Sequence, residues 1–320
     1  MVARSANAPV TQGVVVAFLG NDRWSVPSLE ALATSAYRIA GVFTANPKPA
    51  GRGNEPTPTA VAEGARRLGL PLTEVETVRA GPGFEALART EPDVLAVVAY
   101  GELLPNAVLE LPTLAPVNLH FSLLPELRGA SPVQTALLRG LERTGVTTIV
   151  MDQGLDTGSV LQQRVEAILP EDDAGSLGDR LAVLGAEVLV ASIDALSSGR
   201  ITPRPQDDAG ATFAPRLGPS DRELDWTAPS SSLVDRIRAL SPEPGSQTSF
   251  RDVRLKVFRA ETVEGAGEPG VLLEVAKDGF VVATGLGALR PLDLAPAGRR
   301  RMSGRDFVNG FRPQVGERFG

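Results

Sequence analysis

The chain has no cysteine and a single histidine among 320 residues, and each scarcity removes a class of chemistry. Without thiols there is no disulfide, no thiolate metal site and no cysteine nucleophile, which fits a reducing cytoplasm. With one imidazole, a reaction that needs a nitrogen base near neutral pH has His120 to call on, and a zinc site is not expected. Long apolar runs are missing too. No stretch reaches the roughly 18 residues of a membrane span, so no membrane association is expected. Met1 to Gln12 is small and polar, and the first apolar run, Val14 to Leu19, is only strand-sized, so no secretory signal is expected. That run is not followed by Gly-x-Gly-x-x-Gly, which leaves a nicotinamide or flavin site poorly supported. A Gly-x-x-x-x-Gly-Lys-[Ser/Thr] run for nucleotide hydrolysis is also absent.

What is present suits a globular protein of two domains, with 42% hydrophobic and 22% charged residues. The net charge of −6 is uneven. Residues 1–208 hold 16 Lys and Arg against 24 Asp and Glu, a balance of −8, and residues 209–320 hold 16 against 14, a balance of +2. The C-terminal part is therefore the better candidate to face a polyanion, the plain alternative being an ordinary mixed-charge surface.

Val14 to Leu19, ended by Gly20-Asn-Asp, reads as a buried strand, Val26 to Thr34 as a helix and Arg38 to Phe43 as the next strand. Residues 44–58 are dense in proline and glycine and carry Lys48 and Arg52. They read as a surface loop, either a basic loop for a phosphate backbone or a plain connection. Thr59 to Leu68 is helical, and Val94 to Ala99 is a strand with Gly101 past its carboxyl end. Strand and helix alternate through Met151, which implies an α/β fold: a Rossmann-like, mostly parallel sheet with helices on both faces. Val160 to Ile168 is strand-like. Glu171-Asp-Asp173 opens a long helix from Leu177 to Leu196, and carboxylates at a helix start suit the dipole better than a metal. The proline- and glycine-rich stretch after Gly199 sets the expected domains at 13–203 and 213–320, with 204–212 as linker. Beyond it come a helix, Ser230 to Leu240, and five short strands between Gln247 and Leu294, whose spacing suits a small β-barrel.

The densest signal lies between Pro116 and Gly158. Val117, Leu119 and Phe121 alternate with Asn118, His120 and Ser122, so Asn118 and His120 share one face of a strand near its carboxyl end. The following helix is expected to begin at Ser131-Pro132, with serine as N-cap and proline in the first turn. Open α/β sheets bind ligands at the carboxyl ends of their strands. Thr147 to Val150 reads as another strand, leading into Asp152-Gln-Gly154-Leu-Asp156-Thr-Gly158, a tight turn that presents Asp156. Asn118, His120 and Asp156 are thus expected to converge. Singly, each has a bland alternative: a structural histidine, a backbone-bonded amide, an Asx-turn aspartate.

The run Asn118-x-His120-x-Ser122-Leu-Leu-Pro125, then Arg128-Gly-Ala-x-Pro132-x-Gln134, Thr144-Gly-Val-Thr147 and Met151-Asp-x-Gly-Leu-Asp156-Thr-Gly158 resembles the folate-dependent formyltransferase family. Pro49-Ala-Gly-Arg52-Gly53 and Val97-Val-Ala-Tyr100-Gly101 are similar to that family's motifs. Asp225-Trp226 and Pro296-Ala-Gly-Arg-Arg-Arg-Met302 are similar to the branch that acts on initiator tRNA. The resemblance covers nearly the whole chain from Val14.

It implies transfer of a formyl group from 10-formyltetrahydrofolate, as co-substrate, to the α-amine of methionine on initiator tRNA. Asn118 and donor-form His120 suit oxyanion stabilisation, and Asp156 suits orientation of His120 and acceptance of the amine proton, directly or through water. By the same matching, Val98, Ala99, Tyr100 and Gly101 with Ser122, Leu123, Leu124 and Pro125 hold the folate. Lys48 and Arg52 in the loop, with Arg254, Lys256, Arg299, Arg300 and Arg301 on an oligonucleotide-binding-like C-terminal barrel, contact the tRNA, chiefly its phosphates. No metal, membrane or obligate protein partner is implied. Phe121 departs from a common glycine, Glu126-Leu127 from a basic or aromatic pair, Gly20-Asn-Asp-Arg-Trp24 from Gly-Thr-Pro-x-Phe, and Lys48 from arginine. The residues alone leave two other readings open: a free amine or amino sugar as acceptor, and an RNA-binding relative without activity.

Overall fold

The apolar runs fold as an open sheet followed by an antiparallel one, in a computed structural model that describes residues 13–50 and 55–320. In chain order the elements are β1 (Val15–Gly20), α1 (Val26–Ala33), β2 (Arg38–Ala45), β3 (Lys48–Ala50), β4 (Glu55–Thr57), α2 (Ala60–Leu68), β5 (Leu72–Val75), α3 (Gly81–Ala88), β6 (Val94–Val98), α4 (Asn106–Leu109), β7 (Ala115–His120), α5 (Pro132–Leu138), β8 (Arg143–Val150), β9 (Ser159–Ala167) and α6 (Ala174–Ser197). Then follow α7 (Ser230–Ala239), β10 (Ser246–Phe250), β11 (Val253–Val263), β12 (Leu272–Ala276), β13 (Gly279–Ala283), β14 (Ala288–Pro296), β15 (Met302–Ser303) and α8 (Gly304–Phe311). They form two compact units. One comprises the described residues up to Ala130 with Thr144–Glu166 and Gly178–Ala214, and the other comprises Ser131–Arg143, Ala167–Leu177 and Pro215–Gly320.

The first unit is built on a seven-stranded sheet in the order β5-β2-β1-β6-β7-β8-β9. From β5 to β7 each neighbouring pair is parallel, and β8 runs antiparallel to β7. β6, Val-Leu-Ala-Val-Val, is buried along its whole length, as a strand covered on both faces must be. The strand order reverses between β1 and β6, where such sheets open a crevice for ligands. Asn21 ties that edge together. Its amide nitrogen donates to the Tyr100 carbonyl, and its oxygen accepts from Thr44 Oγ1 at 2.9 Å and the Ala45 amide at 2.7 Å. The altered turn after β1 is therefore a cross-link between the ends of three adjacent strands.

Two local expectations are corrected. Residues 48–57 are not all loop: β3 and β4 pair as an antiparallel ribbon, with Pro49 opposite Pro56. A two-stranded ribbon has an outer edge on each strand, so proline costs it no ladder bond there. Gly51 to Asn54, including Arg52, lie outside the described residues. Ser131 precedes α5 but makes no side-chain cap, and Pro132 alone carries the start signal. At the head of α6 the acidic cluster does act as a helix terminus, with Asp173 Oδ1 accepting the Ser176 amide at 2.9 Å.

In the second unit the sheet order is β10-β11-β14-β13-β12, with β15 on β14. Its two edges are joined by the C-terminal residues. Phe319 bridges to Phe250 at the end of β10, and Arg318 bridges to Val271 at the start of β12. The Gly320 amide donates to the Ser249 carbonyl at 3.1 Å and the Leu272 amide to the Glu317 carbonyl at 2.8 Å. A sheet closed in this way leaves fewer unpaired edge groups. Its core is aromatic: Phe250, Phe280, Phe307 and Phe319 are almost fully buried, and Phe319 stacks on Phe250 at 4.8 Å and on Phe280 at 5.5 Å. The segment 167–177 joins this unit because Arg238 of α7 donates to the Asp172 and Leu169 carbonyls at 2.6 and 2.7 Å.

Candidate active site

β7 carries the alternation into space. Leu119 packs towards Gly185 of α6, so Asn118 and His120 project from the opposite face. Val97 and Val98 of β6 pair with Asn118 and Leu119, which sets residues 99–101 beside the end of β7. Because β8 is antiparallel, with His120 opposite Thr147 and Val117 opposite Val150, its carboxyl end lies beside the start of β7. Asp156 therefore reaches His120 only because residues 151–158 fold back.

That turn has identifiable causes. Asp152 Oδ1 accepts from the Gly154 amide at 2.9 Å and from Thr157 Oγ1 at 2.6 Å, so the Asx-turn role belongs to Asp152 and leaves Asp156 free for another. Gly158 is required, since a Cβ there would stand 2.0 Å from the Val150 carbonyl oxygen. Asp156 adopts φ +55, a left-handed conformation that aspartate tolerates better than most residues.

His120 is 6% exposed. Its Nε2 lies 2.9 Å from the Leu127 carbonyl, and its Nδ1 lies 3.6 Å from Asp156 Oδ2. A carbonyl oxygen can only accept, so Nε2 carries a hydrogen. The 3.6 Å from Nδ1 to Asp156 Oδ2 is an ion-pair distance, longer than a hydrogen bond, so the carboxylate flanks the ring nitrogen that the protein leaves unbonded. The same Oδ2 accepts the Gly129 amide at 2.8 Å. The half-buried Asn118 makes no side-chain hydrogen bond among the described residues, so its amide hydrogens are available to a ligand.

Ser122 to Pro125 is held from inside. Ser122 Oγ donates to the Glu126 carbonyl at 2.6 Å, Thr147 Oγ1 donates to the Ser122 carbonyl at 2.7 Å, and Gln163 Nε2 donates to the Leu124 carbonyl at 2.7 Å. Leu124 packs with Ile149 and Val160. In the other segment the Val98 and Tyr100 carbonyls are taken by Ser25 Oγ and Asn21. The Tyr100 ring is in the core. Burial, with the charge of Glu102, raises its phenol far above the ordinary range, so it stays neutral. Thr147, Gln163, Arg128, Gln206 and Thr212 all brace the site. Sequence reading missed them, and only Arg128 and Thr147 carried a signal, as members of the quoted motifs.

Phe121 and Trp24, two departures from the family pattern, contact each other. Phe121 is buried and meets the Trp24 ring edge-on at 6.1 Å. Trp24 Nε1 donates to Asp179 Oδ1 at 3.0 Å, and a Cβ at Gly178 would lie 2.0 Å from the indole. Phe121 thus extends the Leu119 side of the strand, away from the face that carries His120.

Of the cations, Lys48 sits opposite Thr57 in the β3-β4 ribbon. In the second unit Arg254, Lys256 and Arg299 line one groove of about 320 Å³ with Gln247 and Pro296. Arg254 also pairs with Glu223 at 2.6 Å, and Arg299 lies over the Phe311 ring at 5.0 Å. Arg301 stacks on Phe258 at 3.8 Å and pairs with Asp293 at 2.7 Å, and Arg300 is exposed. Among the described residues no cluster of three or more His, Cys, Asp or Glu could hold a metal ion, and no helix is long and apolar enough to cross a membrane.

Comparison with known proteins gives two family matches: the formyl transferase model over residues 13–193 and the formyl transferase C-terminal domain model over residues 216–312. Methionyl-tRNA formyltransferase from Aromatoleum aromaticum is 41% identical over 304 residues, covering 95% of this chain and 96% of that protein. The enzyme of the same name from Halorhodospira halophila is 42% identical, covering 94% and 98%. Among solved structures, methionyl-tRNA formyltransferase from Clostridium thermocellum matches in fold with a TM-score of 0.55 at 18% identity, covering 79% of this chain and 94% of that one.

Proposed function

The chain belongs to the formyl transferase family in both its domains, and on that premise we propose that it moves the formyl group of 10-formyltetrahydrofolate to the α-amine of methionyl-initiator tRNA. One observation carries the chemistry: the sole histidine stands 3.6 Å from a carboxylate on a turn that folds back to reach it. The amine nitrogen attacks the formyl carbon, the bond from that carbon to N10 of the folate breaks, and the proton lost by the amine is restored at N10. As the carbon becomes tetrahedral its oxygen gains charge, and the free Asn118 amide is the donor for it. Nε2 of His120 is committed to Leu127, so proton traffic runs through Nδ1 and Asp156. The proposal sets the folate along residues 98–101 and 122–125, whose own polar groups are largely bonded within the protein, so that they offer a shaped apolar wall.

Catalysis is assigned to residues 13–203, with 204–212 bonded to that part through Gln206 and Thr212, and tRNA contact to 213–320. Lys256 and Arg299 in their shared groove, together with Arg300, Lys48 and Arg52, are assigned to phosphates, and the ion-paired Arg254 and Arg301 to a supporting role. A cytoplasmic location fits this acceptor and the lack of cysteine.

The direct test is turnover with 10-formyltetrahydrofolate and either methionyl-initiator tRNA or amino sugars. Formylated tRNA is the expected product, and formylation confined to the sugars sinks the assignment. Asn118→Ala is expected to lower kcat by about 10²–10³-fold with little change in either KM, as loss of one oxyanion donor does. Steady-state kinetics at saturating tRNA read this. For tRNA binding, Lys256→Ala and Arg299→Ala are each expected to reduce the slope of log affinity against log salt by about one, with Arg301→Ala reducing it less, since that guanidinium is already paired. Fluorescence anisotropy across a salt series measures the slopes, and unchanged slopes in the first two variants would remove the groove from the tRNA path.

A further inference from the structure

Three consecutive residues, Leu127, Arg128 and Gly129, hold both halves of the His120–Asp156 pair. The Leu127 carbonyl fixes the imidazole, and the Gly129 amide fixes the carboxylate. Between them the Arg128 guanidinium, 4% exposed, donates to Gln206 Oε1 from Nε at 3.1 Å and from Nη2 at 2.8 Å. Gln206 turns its Nε2 the other way and donates to the backbone carbonyls of Asp156 and Gly158, both at 2.7 Å. A primary amide suits this place, because it accepts on one side and has two hydrogens to give on the other. Arg128 sets its orientation: turned about, the amide would present its NH₂ group to a buried guanidinium that can only donate.

The backbone completes the arrangement. The Leu127 amide donates to Thr212 Oγ1 at 2.9 Å, the Arg128 amide to the Thr212 carbonyl at 2.8 Å, and the Ala214 amide to the Arg128 carbonyl at 2.7 Å. Gly129 has φ +122, and a Cβ there would stand 2.6 Å from the Ala214 carbonyl oxygen. Leu127 and Asp156, at φ +58 and +55, are both non-glycine residues in the left-handed region, and for leucine that conformation persists only where surrounding bonds enforce it.

We propose that Gln206 is a positioning residue for formyl transfer, locking the turn of residues 156–158 so that Asp156 stays against His120. This rests on the roles given above to those two residues. Residues 206–214 are then part of the site's machinery rather than a tether.

Two substitutions separate this role from general support. Gln206→Glu keeps its acceptor for Arg128 but has no hydrogens for the turn, whereas Gln206→Ala loses both and leaves the guanidinium with Asp208 Oδ1, 2.7 Å from Nη2. If the turn is what matters, Gln206→Glu, read well below its own melting point because two carbonyls lose their donor, loses kcat by about 10–100-fold, as a displaced catalytic group does. Its KM values for methionyl-tRNA and the folate stay within about threefold. Gln206→Ala shows the same kcat loss. Because the chain has one histidine, its imidazole NMR signals report on His120 without assignment, and both variants are expected to shift them at constant pH. An imidazole signal unmoved in either variant overturns the proposal, and so does an unchanged kcat in Gln206→Glu. Should the unsubstituted protein form no formylated product, it is the functional reading that fails, and the NMR comparison still decides the part played by Gln206.

Discussion

His120→Ala lowers kcat for methionyl-tRNA formylation by about 10²–10⁴-fold, the range for loss of a general acid–base group. The expectation is strict because the chain has no second imidazole to stand in. Asp156 is the acidic group that pairs with the ring among the described residues, and it keeps its Gly129 amide when the ring is gone. The carboxylate is thus still positioned but has lost the ring nitrogen beside it. The Leu127 carbonyl loses its donor as well, and an unpaired buried acceptor costs about 1–3 kcal/mol of stability. The loss of rate is therefore read at a temperature well below the variant's own melting point. Asp156→Asn removes the charge from the other side. If the two groups act as one unit, the double variant is no slower than the slower single one, because effects within a unit do not add. Product formation followed by acid gel or mass spectrometry gives all three rates. A His120→Ala enzyme within tenfold of the unsubstituted rate would detach the chemistry from this pair.

How far the site could be read in advance depended on whether a residue's role is local. Asn118 and His120 share a face because strands alternate, and that is written in five consecutive letters. Asp156 was legible as a turn residue, but its route to His120 was not. The alternating pattern suggested another strand running the same way, whereas β8 runs antiparallel and the turn has to fold back. Arg128 and Gln206 lie 78 positions apart and meet through a buried hydrogen bond that no periodicity records. Proline density pointed to loop at residues 48–57, where a two-stranded ribbon has room for proline on its outer edges. Phe121 and the turn after β1 stood in the sequence as separate departures from the family pattern. They meet through Trp24, on the side of β7 away from His120. In the C-terminal half the strands were legible from turn signals, but their closure by residues 318–320 rests on tertiary pairing alone.

That closure carries the largest stability effect. Phe319→Ala destabilises the second unit by about 3–5 kcal/mol, the range for truncating a fully buried phenylalanine. Phe319 is 3% exposed and touches Phe250, Phe280, Phe307 and Trp226, so the cavity opens where the tail, β10 and the neighbouring strands meet, and rings on several sides cannot all close over it. Domains of this size are stable by about 5–15 kcal/mol, so the change removes a large fraction of the margin. Leu286→Ala, at a residue 72% exposed, is the matched control and changes stability by no more than about 0.5 kcal/mol. The chain supplies its own probe, since one tryptophan lies in each unit: Trp24 in the first and Trp226 in the core of the second, its ring 5.8 Å from Phe319. In a Trp24→Phe background the emission of Trp226 follows the second unit through urea unfolding. A midpoint unmoved by Phe319→Ala would mean that the C-terminal residues lie along the sheet without closing it, and would leave β10 and β12 as open edges.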